Sequence, residues 1–291
     1  MKPAPFTHHA PERVDEVLSL LVEHGDEAKV LAGGQSLVPM LALRLARFEH
    51  LVDVNRVAEL AGLSRADGEL RVGAMTRHRV LAGDPEVDEA VPLLARATRK
   101  VGHFQIRTRG TLGGALAHAD PAAEQPAVAV ALDAVMEVAS GSGTREIPAD
   151  EFFLGTWSTA LADHELLTAV RFPVWKEPCG FAVEEVARRS GDFALVGVVC
   201  AVALGDGGVD RAGIALFGVG SIPVRAAAAE SALLAGAPLD EVAAAAAAEL
   251  EPPDDLHASG AYRRTVAAEL FRRGLTRAME EAASRREIAR A

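Results

Sequence analysis

Cysteine is nearly missing from this 291-residue chain: Cys179 and Cys200 are the only two. Two thiols cannot build a disulfide framework or a four-ligand structural zinc site. They are also too few for an iron–sulfur cluster, which takes four ligands. There is no CxxC pair, and neither cysteine has an activating neighbour in sequence. A reducing cytoplasm is the expected setting. Basic charge is scarce as well: 30 Lys and Arg stand against 41 Asp and Glu, a net charge of −11. That balance argues against a general nucleic-acid or anionic-membrane binder. The longest uncharged apolar run, Phe193 to Gly205, is too short to cross a bilayer core of about 30 Å as a helix. The opening Met1-Lys2-Pro3-Ala4-Pro5-Phe6 has no apolar signal core, so export by the usual route is not expected.

The common chemical signatures are missing too. There is no GxGxxG, no GxxxxGK[ST], no GxSxG and no HExxH. The nine histidines include the adjacent pair His8-His9 but no ligand-spaced cluster in sequence. His78, His103 and His118 are expected at the surface or hydrogen-bonded rather than as ligands. Any redox chemistry must therefore be carried by a cofactor.

What is present is a globular composition, 49% hydrophobic, with length enough for two domains. Val14, Val17, Leu18 and Leu21 repeat at helical spacing, and Gly25 closes that segment. Lys29 to Ala32 reads as a strand, Leu37 to Leu45 as a helix, and His50 to Val54 as another strand. Leu70, Val72 and Ala74 alternate as in a half-buried strand. Thr76 is placed to cap a short helix ending at Leu81. Asp88 to Lys100 reads as one helix. Gly102 to Pro121 shows no period, and Pro126 to Leu132 is strongly apolar. Val135 to Ala139 and Thr144 to Ile147 flank a hairpin turn at Gly141-Ser142-Gly143. Leu166 to Phe172 reads as an edge strand. The turn-rich stretch Pro173 to Gly180 marks a domain boundary. Three strands follow at Phe181 to Val186, Leu195 to Leu204 and Ala212 to Phe217. Helices follow at Val224 to Leu234, Leu239 to Leu250 and Ala261 to Ala283, then a frayed tail from Ser284.

Two glycine stretches carry the functional signal. In the first, a strand runs into Ala32-Gly33-Gly34-Gln35-Ser36-Leu37. Paired glycines leave several amide N–H groups clear of side chains, a nest for phosphate oxygens. Ser36 adds a hydroxyl at a helix N-terminus, which favours negative charge. The ordinary alternative, a turn with a capping serine, stands at even weight with this reading. The second stretch, Gly110-Thr111-Leu112-Gly113-Gly114, repeats the logic. Asp120 and Glu124 follow it as partners for ribose or ribityl hydroxyls. Taken alone, it is better explained as a connector with solvated acids.

Taken together, four segments resemble a known family: AGGQSLVPML (Ala32 to Leu41), RGTLGGALAHADPAAEQP (Arg109 to Pro126), RRSGDFALVGV (Arg188 to Val198) and HASGAYRR (His257 to Arg264). The family is the FAD-binding medium subunit of molybdenum-containing hydroxylases, such as aerobic carbon monoxide dehydrogenase and bacterial xanthine dehydrogenase. The resemblance covers nearly the whole chain. It implies an α+β fold: a vanillyl-alcohol-oxidase (PCMH)-type FAD-binding domain over 1–175, in halves of about 1–55 and 56–175. A C-terminal domain with a three-stranded antiparallel sheet and helices would span 176–285, and 286–291 would be a tail. It implies FAD as cofactor. The pyrophosphate would be wrapped by Ala32, Gly33, Gly34, Gln35, Ser36 and Leu37, with Thr111, Gly113 and Gly114 closing from the other side. Asp120 and Glu124 would order the pyrophosphate–ribityl region. Gly102, Ile106, Gly110 and Ala117 would line the channel. Phe193 would lie near the isoalloxazine, or else be ordinary core at a strand start.

The implied role is electron transfer. Electrons would come from [2Fe–2S] clusters of a small subunit beside a molybdenum-cofactor large subunit. They would leave to NAD, oxygen or a quinone. A stand-alone flavin-dependent oxidase or monooxygenase is the alternative, and a flavin-free scaffold is a third. Three positions depart from the family pattern. Glu185 is acidic where some relatives have lysine, Gln35 replaces a histidine, and Ala115 replaces an asparagine or aspartate.

Overall fold

A computed structural model describes residues 2–176, 178–248 and 250–290. The first helix is Val14–His24, whose Val17, Leu18 and Leu21 are buried. Asp15 and Glu16 in its first turn suit the positive end of the helix dipole. Gly25 ends it at a φ of 50°. The helix covers a three-stranded sheet in the order Thr7–His9, His50–Asp53, Ala28–Leu31, with both pairings parallel. Parallel strands share one carboxyl end, and the first glycine stretch leaves from it. The following helix is Leu37–Ala42, shorter than the expected run to Leu45. It stops because Arg44 turns left-handed, at a φ of 60°. Arg44 N–H then bonds the Leu41 carbonyl and Leu45 N–H that of Met40, closing the helix end as a Schellman motif.

The second sheet has five antiparallel strands in the order Leu63–Ala66, Glu69–Gly73, Leu166–Pro173, Val135–Ser140, Gly143–Pro148. Leu166–Pro173 is its central strand, not an edge. Both its partners are distant in sequence, so no local pattern announces them. The expected helix over 88–100 is two helices, Pro85–Ala90 and Pro92–Lys100. Pro92 has no N–H to continue the first and is suited to open the second. Thr76 caps nothing: its hydroxyl exchanges hydrogen bonds with Gly62 N–H and C=O, both at 3.1 Å, and the helix begins at His78. The stretch read as aperiodic holds two short helices, Phe104–Arg109 and Leu112–His118. Six or seven residues are too few to show a period.

The C-terminal sheet has three long antiparallel strands, Cys179–Ala187, Ala194–Gly205 and Gly208–Phe217, with the two-residue strand Val224–Arg225 on its edge. Val224 and Arg225 are therefore strand, and the helix expected from Val224 starts at Ala227. Helices Ala227–Leu234, Leu239–Ala248 and Gly260–Arg290 follow. The last runs on to Arg290 where a frayed tail was expected.

Alternation explains why the middle strand is apolar on both sides. Val199, Ala201, Ala215 and Phe217 join the core formed by the five-stranded sheet and its helices. Val196, Val198, Cys200, Val202, Ile214 and Leu216 face the C-terminal helices. A sheet covered on both faces has no polar side to show in its sequence. Arg96 ties the halves together through paired bonds to Glu281, at 2.6 and 2.8 Å, and a further bond to the Phe181 carbonyl.

Candidate cofactor site

The two glycine stretches meet. A Cβ on Gly33 would lie 2.5 Å from the Arg109 carbonyl oxygen and 2.8 Å from Gly110 Cα. A Cβ on Gly114 would lie 3.4 Å from Ala32 Cβ. At Gly33 only glycine lets the backbones approach so closely.

Side chains lock the junction. Asn55 donates to the Ala32 carbonyl at 2.8 Å and accepts from Arg77 Nη2 at 2.6 Å. Arg77 Nη1 in turn donates to the Arg109 carbonyl. His78 N–H bonds the Gly110 carbonyl at 2.9 Å, and His78 Nε2 lies 2.9 Å from the Thr111 carbonyl. A carbonyl can only accept, so Nε2 carries the proton and Nδ1 is a bare, partnerless acceptor in the interior. Burial pushes the His78 pKa down to about 4, which keeps this ring neutral.

The two stretches differ in what their amides do. In the second, Leu112 N–H bonds Thr76, Gly113 N–H bonds Ala74, and Ala115 N–H bonds Thr111. Gly114 N–H bonds the Thr111 hydroxyl, the N-cap of Leu112–His118. In the first, the carbonyls of Ala32, Gly33 and Gly34 are engaged, by Asn55, Gln35 and Val38. The N–H groups of Gly33, Gly34, Gln35 and Ser36 reach no acceptor within the described residues. Gly34 is left-handed, at a φ of 73°. Ser36 occupies the N-cap position of the next helix, but its hydroxyl makes no capping bond.

A second concavity, a cleft of about 760 Å³, opens beyond the other end of helix Phe104–Arg109. Gly102, His103, Lys100 and Arg107 line one side, and Glu185, Arg189 and Gly191 the other. The His103 ring packs on Gly191, whose φ of 85° suits a residue without Cβ. Ile106 packs on Gly102, and Arg107 donates to the carbonyls of Val101 and Gly102, each at 2.8 Å. Helix Phe104–Arg109 thus joins this cleft to the meeting point of the glycine stretches, and its six residues rise about 9 Å.

The residues 4–175 match the family model for the FAD-binding domain in molybdopterin dehydrogenase. Residues 181–278 match that for the CO dehydrogenase flavoprotein C-terminal domain. The medium chain of carbon monoxide dehydrogenase from Hydrogenophaga pseudoflava is 39% identical over 284 residues, covering 96% of this chain and 98% of that one. A solved structure of that enzyme superposes with a TM-score of 0.94 over 97% of this chain and 100% of that one, at 39% identity. The alpha subunit of the 6-hydroxypseudooxynicotine dehydrogenase complex from Paenarthrobacter nicotinovorans is 38% identical over 99% of both chains. The chain belongs to the FAD-binding medium subunits of the molybdenum hydroxylases. It is an oxidoreductase subunit and its cofactor is FAD. Its α+β architecture is that of the carbon monoxide dehydrogenase medium chain. Among the described residues, no helix is long and apolar enough to cross a membrane.

For a medium subunit, the first glycine stretch fits a diphosphate. Four unengaged amides lie on a left-handed turn at the carboxyl end of a parallel sheet, with the Arg77 guanidinium bonded into the wall behind. The amides of the second stretch are already bonded within the chain. Gly113 is small for a structural reason: a Cβ there would sit 2.5 Å from Ala74 Cβ. Ala117 is exposed on the helix that follows. Asp120 closes its own turn by accepting from Ala122 N–H at 2.9 Å.

Glu124 is 7% exposed, at the start of helix Glu124–Ala131. Burial pushes its carboxyl up to about 8, with the charge of Glu185 adding to the effect and Lys100 opposing it. Glu185 lies 3.7 Å from Lys100, so the acid at this position has its own cation. Phe193 is 60% exposed two residues beyond Gly191, which excludes its being core. Asn55, Arg77 and the inward His78 belong to none of the sequence motifs. Asp53-x-Asn55 directly after a strand was the available signal: Asp53 caps the next turn through Asn55 N–H.

Proposed function

We propose that this chain is the electron-transferring flavoprotein subunit of a heterotrimeric molybdenum hydroxylase. On this reading Gly33, Gly34, Gln35 and Ser36 donate their amides to the FAD pyrophosphate, while Gly110, Thr111 and Gly114 form the facing wall. Gly102, His103 and the loop ending in Phe193 border the flavin ring, about one short helix away. Glu124, held protonated by burial and electrostatically coupled to the cleft residues Glu185 and Lys100, offers a hydrogen-bond donor. Bound FAD would take electrons from a partner's iron–sulfur clusters and pass them to an external acceptor such as NAD, oxygen or a quinone.

The observation that carries the reading is the row of unengaged amides at the meeting of the two glycine stretches. The near-absence of cysteine supports the division of labour, because the clusters must belong to another chain. A molybdenum-cofactor large subunit and a [2Fe–2S] small subunit are the partners that follow, in the cytoplasm. Co-expression with neighbouring reading frames tests it. The expected product is a yellow complex containing iron and molybdenum, whose flavin is bleached by substrate only when all three chains are present. Turnover of an organic substrate by this chain alone would instead make it a self-sufficient flavoenzyme.

A further inference from the structure

The parallel sheet has a second end. The cradle leaves the carboxyl end of Ala28–Leu31, and Ala28 at its amino end pairs with His50. Strand alternation places His9 and His50 on one face of the sheet, because Thr7 pairs with His50 and His9 with Val52. Val52 packs in the same core as Val17, Leu18 and Leu21, so this is the helix-covered face. The covering helix ends at His24, which stacks on His50 with ring centroids 3.7 Å apart and planes within 3°. His9 Nε2 lies 3.0 Å from His50 Nδ1. One ring nitrogen from each of the three lies within 4.8 Å of the others. His8 points to the opposite face and pairs with Asp53 at 3.2 Å.

We propose that His9, His24 and His50 bind one zinc-class divalent transition-metal ion, with a coordination position left open. Three imidazoles converging from three separate chain segments are the donor set such ions prefer. At a Zn–N distance of about 2.0–2.1 Å, a tetrahedral site needs nitrogens roughly 3.3 Å apart. The His9–His50 pair already stands near that spacing. The His24 and His50 rings must splay from their stack so that both lone pairs aim at one point, and His24, on a helix end, can turn. Glu27 and Glu49 also bring carboxylate oxygens to within the same 4.8 Å of a His50 nitrogen. Such a carboxylate orients a ligating imidazole by accepting its other N–H. The site lies at the opposite end of the sheet from the flavin cradle. Its effect is therefore to pin the first strand and the first helix to the central strand, not to take part in electron transfer.

The test uses the chelator-treated, tag-free full chain and zinc alone. One zinc per chain is expected, with a rise in melting temperature and, on replacement by cobalt, the visible bands of a low-coordinate ion. His24→Ala and His50→Ala should each weaken zinc binding at least tenfold, a loss that even outer-shell changes produce at such sites. His8→Ala, on the other face, should not. Retained FAD would show that the variants are folded. If His50→Ala fails to fold, His24→Gln at the helix end repeats the measurement. The proposal falls if the wild-type chain takes up no more zinc than the His24 variant, or if His8→Ala weakens binding as much as His24→Ala does.

Discussion

The two glycine stretches look alike in sequence and differ in their hydrogen bonding. Gly33-Gly34 keeps its amides free while its carbonyls are bonded, whereas Gly113-Gly114 has its amides bonded to Ala74 and Thr111. One is shaped as a ligand surface and the other as a packing surface against it. A glycine pair therefore marks close approach, and only the hydrogen bonds around it tell whether ligand or protein is approached. Gly33 belongs partly to both classes, since its missing Cβ makes room for the Arg109 carbonyl.

The contrast is broken most directly at Gly33. Gly33→Val should separate the two stretches, abolish FAD binding and destabilise the chain by about 1–3 kcal/mol or more. Gly113→Ala should cost a similar 1–3 kcal/mol through its clash with Ala74, yet leave flavin content per folded chain unchanged. Flavin absorbance and thermal melts of both variants decide this; equal loss of flavin would erase the distinction.

Glu124 sharpens it from the acid side. Its folded pKa of about 8 lies above its ordinary 4.5, so the folded state favours the neutral form. That contribution is full below pH 4.5 and is lost as pH rises towards 8. Glu124→Gln should match the flavin-free wild type near pH 4. It should be more stable at pH 8, by up to a few kcal/mol, since each tenfold change in proton affinity is worth about 1.4 kcal/mol. Urea melts across this range that show no pH-dependent gap between the two would mean that Glu124 is charged and paired in the folded chain. The smallest effect belongs to Gln35→Ala. Gln35 is exposed and reaches only the Gly33 carbonyl, at 3.2 Å. Stability should stay within about 0.5 kcal/mol and FAD should remain bound; a colourless variant would show that this side chain, and not the amides alone, holds the ligand.

Much of this molecule was legible from its residues. Periodicity located Val14–His24, and the turn at Gly141-Ser142-Gly143 located the hairpin of Val135–Ser140 and Gly143–Pro148. One sheet ends at Pro173 and the next begins at Cys179. The failures share a cause. The central place of Leu166–Pro173 depends on partners far away in the chain, and the helices flanking Gly110 are too short for a pattern. At the site, the resemblance pointed to two segments that the fold brings together. It did not show which amides were free, because that depends on Ala74, Thr76 and the Thr111 hydroxyl. Asn55 and Arg77 stand outside every glycine motif and became visible only where they bridge the two stretches.

The C-terminal sheet, apolar on both faces, has a consequence for cooperativity. One face completes the core of the first 175 residues, and Arg96 fastens that contact to Glu281. Cutting the chain near Pro178 would bare a broad greasy surface on each fragment, and such surfaces drive association. The chain should therefore melt in a single transition. Grafting its C-terminal half onto a relative would succeed only if the strand residues facing that seam, Val199, Ala201, Ala215 and Phe217, were matched to their new hosts.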